Sequence, residues 1–175
     1  MLRKVLLCVV ALLLAFAVMM ATTGQAEFFL EDDLVLASSP AEVWEVLSAV
    51  EDWPRWWPGF ESAKVTPALQ MGARLDLVLK GDPSKRPATV ETVVNGRKIS
   101  WVRDGILGST THTSLCLDEQ GGETLFVIQS RIRGPQAFLA RLTARNQFAD
   151  YHQALLRSLQ LQLAEDAASP LPQDS

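Results

Sequence analysis

The sequence predicts a single α+β domain in which an antiparallel sheet packs on a long C-terminal helix. Three observations carry that prediction. Between Gly59 and Arg133 apolar residues recur at a period of two, in short runs separated by turn residues. Residues 136–164 contain neither Pro nor Gly and carry an apolar stripe at helical spacing. Ahead of both, a strand leads into short helical segments rather than into a second domain.

The elements follow in order. Arg3 and Lys4, the uncharged apolar run from Val5 to Ala21, and the small residues Gly24 and Ala26 have the three parts of a secretory signal peptide over residues 1–26. The alternative is a retained inner-membrane anchor over residues 5–21, at the short edge of what spans a bilayer. The domain proper is expected over residues 27–165, and 166–175 as a flexible tail. Glu27 to Leu36 reads as the first strand. Ser39 is placed as an N-cap, with Pro40 in the first turn and Glu42 completing a capping box. Trp53, Pro54, Trp56, Trp57 and Pro58 break any long helix, leaving a turn or a brief second one.

Strands are expected at 60–66, 74–80, 87–94, 98–103, 110–117 and 124–132. Asn95-Gly96 signals a hairpin with a type I′ turn, and Asp118 to Gly122 a second, longer connection. In the last helix, at 100° per residue, Phe138, Leu142, Ala149, Leu156, Leu159 and Leu163 share one stripe, with Phe148 and Leu155 along its edge.

Charge and composition exclude several functions. Loss of the leader takes Arg3 and Lys4 and no acid, so the formal net charge moves from −4 to −6. That disfavours nucleic acid and an anionic membrane surface as partners, leaving membrane contact only if the N-terminal segment is retained. Cys116 is the one cysteine after the leader, which rules out an internal disulfide. With only His112 and His152, no zinc site is expected, and no cofactor motif is found. No Gly-x-Ser-x-Gly elbow marks a nucleophile, so no catalytic residue is assigned. The pairs Asp32-Asp33 and Glu51-Asp52 read as solvated acids.

The order of elements, the segment Ala37-Ser38-Ser39-Pro40-Ala41-Glu42-Val43-Trp44 and the segment Asp52-Trp53-Pro54-Arg55-Trp56-Trp57-Pro58-Gly59 resemble the superfamily of START domains, Bet v 1-like proteins and polyketide cyclase/dehydrase-like lipid-transport proteins. Gly121-Gly122-Glu123-Thr124 and Gly134 add to the resemblance, which covers about residues 28–164. It implies a helix-grip fold, in which a curved sheet grips the C-terminal helix around a cavity for lipids, sterols, polyketides or other apolar molecules. A few members are cyclases, hydrolases or synthases, and fold alone does not choose among these.

On strand parity, Leu75, Leu77, Leu115, Leu117, Phe126 and Ile128 point to one sheet face, opposite Leu142 and Leu156 of the helix. These, with Trp57 and Trp101, are the expected apolar cavity wall. Trp44 and Trp53 read as core. Trp57 and Trp101 fit core or cavity equally. His112 falls on the opposite face, towards solvent. His152 lies inside the helix stripe, as a polar cavity group or as a buried histidine bonded to a neighbour. Arg145 shares the stripe, facing a ligand carboxylate or snorkelling outward. Two functions follow: an exported binder or carrier of an apolar small molecule, or a cyclase- or hydrolase-like enzyme using His152 or Tyr151 as general acid/base.

Overall fold

The computed structural model describes residues 24–81 and 86–168, with scattered positions before residue 15. The expected leader therefore lies largely outside the described residues, as does the tail from residue 169.

Strand β1 (Glu27–Leu36) opens the domain. Helix α1 (Pro40–Ser48) follows behind the expected capping box: the Glu42 N–H donates to Ser39 Oγ at 3.4 Å, and the Ser39 N–H donates to Glu42 Oε2 at 2.7 Å. Accepting from the Ser39 N–H and the Ser39 hydroxyl keeps the Glu42 carboxyl below its ordinary pKa. After a single 3₁₀ turn (Val50–Asp52), the four residues of α2 (Trp53–Trp56) end ahead of Pro58. Five further strands, β2 (Phe60–Thr66), β3 (Arg74–Leu79), β4 (Ala88–Val94), β5 (Lys98–Asp104) and β6 (Thr110–Gln120), run to β7 (Glu123–Arg133). Helices α3 (Pro135–Leu139) and α4 (Arg145–Ala168) close the fold.

The strands form one antiparallel sheet in the order β1-β7-β6-β5-β4-β3-β2. Consecutive strands pair throughout except that β1 returns to the far edge beside β7, as short connections dictate. On β7 the buried set is Leu125's neighbours Thr124 and Phe126, then Ile128, Ser130 and Ile132, so the sheet face is set by a strict alternation. Leu36, Val43, Leu47, Leu75, Leu115, Leu117, Phe126, Leu155, Leu156, Leu159 and Leu163 pack into one core between this face, α1 and α4.

Four local expectations change. Val94 pairs with Lys98 across a three-residue connection in which Gly96 alone takes a positive φ, so Asn95-Gly96 marks the turn but not the type I′ geometry. Ladder pairing of β6 and β7 continues to Gln120 and Glu123, so their turn is far tighter than the stretch from Asp118 to Gly122. Helix α4 continues through Ala168, into the segment expected to be loose.

The fourth change matters most. The C-terminal helix is not continuous from residue 136: a π-turn at Ala140–Ala144 separates α3 from α4. A π-turn holds one extra residue, so it rotates everything before it by about 100° relative to a straight helix. Ala137 and Ala140 are therefore the residues that pack on Phe28 and Ile132. Phe138 and Leu142, expected on the buried stripe, are exposed at 42% and 66%. Beyond the π-turn the expected phase holds, and His152, Leu155, Leu156, Leu159 and Leu163 are buried.

Candidate functional site

A cavity of about 860 Å³ opens between the sheet and the first half of α4. Its apolar wall is Trp57, Phe60, Leu77, Leu79, Trp101 and Ile128, with Phe148 and Tyr151 coming down from the helix. The hollow has a sequence cause. The second half of α4 presents leucines to the sheet, whereas the first half presents Gln147, Phe148 and Tyr151. The sheet is also parted there, since among the described residues β3 and β4 pair only at Arg74–Thr89 and Leu75–Ala88. A side chain on Gly59 would run into the Tyr151 ring, so this glycine lets the turn after α2 close against the helix.

The wall is not uniformly apolar. Thr111, Thr113, Ser130, Gln136 and Gln147 line it, and Lys80, Arg86, Arg103 and Asp104 stand towards its rim. Burial pushes the Tyr151 hydroxyl up to about 12, with the Trp57 indole N–H and the Arg103 charge pulling the other way. Tyr151 is thus a protonated hydroxyl at any physiological pH. The Trp57 N–H nears that hydroxyl without completing a hydrogen bond, and is buried with no acceptor among the described residues.

Beside the cavity lies a chain of hydrogen bonds. His152, fully buried, has Nδ1 2.8 Å from Asp32 Oδ2 and Nε2 2.8 Å from Ser130 Oγ. Gln153 Nε2 donates to the other carboxylate oxygen of Asp32 at 3.3 Å. A carboxylate only accepts, so Nδ1 carries the proton and Nε2 is left to accept from the Ser130 hydroxyl. Burial holds the imidazole pKa below its ordinary value, and the Asp32 carboxylate offsets part of that.

Of the residues expected to form the cavity, Trp57, Leu77, Trp101 and Ile128 line it. Leu75, Leu115, Leu117, Phe126 and Leu156 face inward as expected but sit in the filled core, because α1 and the leucines of α4 occupy that end of the sheet. Leu142 and Arg145 are exposed, Leu142 through the rotation introduced by the π-turn. His152 is a bonded buried residue that reaches the cavity only through Ser130. Trp53 is core, its indole N–H donating to the Leu47 carbonyl at 3.0 Å, and Trp44 is half-buried against the same cluster. His112 lies on the opposite sheet face, 3.0 Å from Glu91.

Asp32 and Ser130 are the residues that sequence reasoning missed. Asp32 is not a solvated turn acid but sits mid-strand, half-buried. A signal was available: Phe28, Leu30, Leu34 and Leu36 make an inward stripe on β1 broken once, by Asp32, and Ser130 breaks the stripe on β7 in the same way.

Comparison with known proteins agrees with this architecture. A search of curated proteins by sequence finds no relative. Norcoclaurine synthase from Thalictrum flavum, solved with dopamine and hydroxybenzaldehyde, superposes with a TM-score of 0.64 at 15% identity, over 84% of this chain and 91% of that one. Ara h 8.0201 gives 0.62 at 11% identity, over 79% and 99%. The di-domain aromatase/cyclase StfQ of the steffimycin biosynthetic pathway gives 0.65 at 13% identity, over 82% of this chain and 53% of that one. At such identities these likenesses establish the fold, the Bet v 1 helix-grip. The model of one family, described as polyketide cyclase / dehydrase and lipid transport, matches residues 30–164, and with that match across most of the domain the chain belongs to this family.

Proposed function

We propose that the protein is an exported binder or carrier of an apolar small molecule, held between the sheet and the first half of α4. The observation that carries this reading is the cavity itself. Its volume, about 860 Å³, is in the range of small-molecule sites, and its wall combines aromatic and aliphatic surface with a few placed polar groups. Trp57 supports a ligand with an acceptor atom, since a buried N–H without a partner costs about 1–3 kcal/mol that a ligand carbonyl or hydroxyl would recover. Lys80, Arg86 and Arg103 near the rim suit an acidic or carbonyl end on an otherwise apolar body. Entry fits the side of the 106–108 turn and α3, where Ile106, Leu107, Phe138 and Leu139 are exposed apolar residues.

Native mass spectrometry of the protein purified from its own export route tests this reading. A non-covalent mass excess that organic solvent strips away supports it. A bare chain that takes up no lipid or aromatic compound from a mixed extract contradicts it. The same spectrum reads export, because cleavage after Ala26 predicts a chain beginning at Glu27, whereas a chain beginning at Met1 in the membrane fraction means the segment 5–21 is retained.

A further inference from the structure

Three largely apolar stripes meet near the cavity, and each carries a polar residue at the meeting point. Asp32 interrupts β1, Ser130 interrupts β7 and His152 interrupts α4. Asp32 and His152 are 120 residues apart in the chain, yet their side chains join at 2.8 Å, and His152 joins Ser130 at the same distance. Polar groups placed in a core are costly unless bonded, and leucine-like residues would serve packing better at all three positions. The bonds run in one order, carboxylate to Nδ1 and Nε2 to hydroxyl, which is the arrangement that turns a serine into a nucleophile irrespective of fold.

We propose that Asp32, His152 and Ser130 form an acyl-transfer triad opening on the cavity, and that the protein hydrolyses esters of apolar acids. The proposal rests on the cavity accepting an apolar molecule and adds a reaction to it. Ser130 lines the cavity wall, whereas His152 lies fully buried behind it, so the hydroxyl is the member of the chain that a ligand meets. Thr113 is the cross-strand partner of Ser130 on β6 and lines the same space, as does Tyr151. Both are hydroxyl donors suited to an oxyanion formed there.

The reaction balances with water as the only co-reactant. Ser130 Oγ bonds to the ester carbonyl carbon while its proton passes to His152 Nε2, and the carbonyl electron pair moves onto oxygen. Collapse of that adduct breaks the C–O bond to the alcohol, which leaves with the proton from Nε2. Water then adds to the acyl-Ser130 carbonyl, giving a proton to Nε2. Collapse releases the acid, and Ser130 Oγ takes that proton back. Asp32 takes no part in these proton transfers; its hydrogen bond to Nδ1 orients the ring and stabilises the imidazolium. Ser130 is the catalytic nucleophile and His152 the general base, while Asp32 is a positioning residue.

An alkyl fluorophosphonate tests this directly. Incubated with the wild-type protein, digested and mapped by mass spectrometry, it should leave a phosphonyl adduct on Ser130, and a p-nitrophenyl ester of a medium-chain acid should be cleaved. Ser130→Ala should return cleavage to the buffer rate. Asp32→Asn, which keeps the shape but not the orienting charge, should slow labelling by a factor on the order of 10²–10⁴. Asp32→Asn, at a residue that does not line the cavity, should still bind an anilinonaphthalene sulfonate probe. Wild-type protein that binds the probe but stays unlabelled at Ser130 overturns the triad and leaves the binding function standing. Wild-type protein that neither binds nor is labelled overturns both. Labelling of Asp32→Asn at the wild-type rate also overturns the triad, since a chain of structural hydrogen bonds would not affect that rate.

Discussion

The two halves of the grip are built from the same sheet and the same helix, and differ in what the helix puts between them. Towards the C-terminal end of α4, Leu155, Leu156, Leu159 and Leu163 pack in one core with Leu75, Leu115, Leu117 and Phe126 of the sheet and Val43 and Leu47 of α1. Towards its N-terminal end the helix offers Gln147, Phe148 and Tyr151, the facing strands offer Thr111, Thr113 and Ser130, and the space is hollow. One half therefore holds the fold together by packing, where every methylene lost is felt. The other tolerates unfilled volume, which costs stability and so points to a ligand. The chain Asp32–His152–Ser130 lies on the boundary between the two halves.

The largest expected contrast comes from truncating leucines. Leu159, fully buried, should cost roughly 2–5 kcal/mol as Leu159→Ala in chemical denaturation. Leu142→Ala, within the π-turn and exposed, should change stability by no more than about 0.5 kcal/mol. Equal losses would mean that α3 and α4 share one continuous buried face after all.

Next in size is the boundary. His152→Leu removes the partner of Asp32 Oδ2 and of the Ser130 hydroxyl, and should cost roughly 1–3 kcal/mol. The pH dependence has a definite sign. Burial lowers the native-state pKa of His152 below the ordinary value of 6.5, so the unfolded chain binds this proton more readily. The contribution of His152 is fully present above pH about 6.5 and falls as the pH drops from there towards the native-state pKa. Denaturation midpoints between pH 7 and pH 5 should therefore decline more steeply for the wild type than for His152→Leu. Parallel declines would mean that the ring is not held neutral.

The smallest effect belongs to the brace of the filled half. Ser39→Ala removes the side-chain cap of α1 and should cost about 1 kcal/mol in thermal or chemical unfolding. Probe binding should be unchanged, because α1 does not line the cavity.

The sequence made the filled half far more legible than the hollow one. Strand alternation and the capping box are local patterns that map onto elements with nearly the expected bounds, and the leucine spacing gives the buried face of α4 though not where it begins. The π-turn left no such trace, because Ala140 to Ala144 are ordinary helix formers and the extra residue is accommodated by packing around Phe28 and Ile132 rather than by a breaker. Extrapolating phase through it misplaced Phe138 and Leu142. The boundary chain was missed for a different reason: His152 was visible as a polar residue in an apolar stripe, but its partners lie on strands remote in sequence. Strand parity correctly turned Leu75, Leu115, Leu117 and Phe126 inward, yet parity gives the face and not the free volume above it.

The central claim, that the hollow half is a binding site and the filled half is not, is tested most directly by adding volume to the hollow and titrating an apolar fluorescent probe. Thr113→Phe places a ring in the cavity wall, opposite Trp101 on one side and Ser130 on the other. Leu115→Phe, two residues along the same strand, adds volume to the packed half and serves as the control. Thr113→Phe should weaken probe binding at least tenfold while its unfolding midpoint stays at or above that of the wild type. Leu115→Phe should lose about 1–3 kcal/mol of stability and still bind the probe. Wild-type affinity in Thr113→Phe would contradict the assignment of the cavity as the binding site.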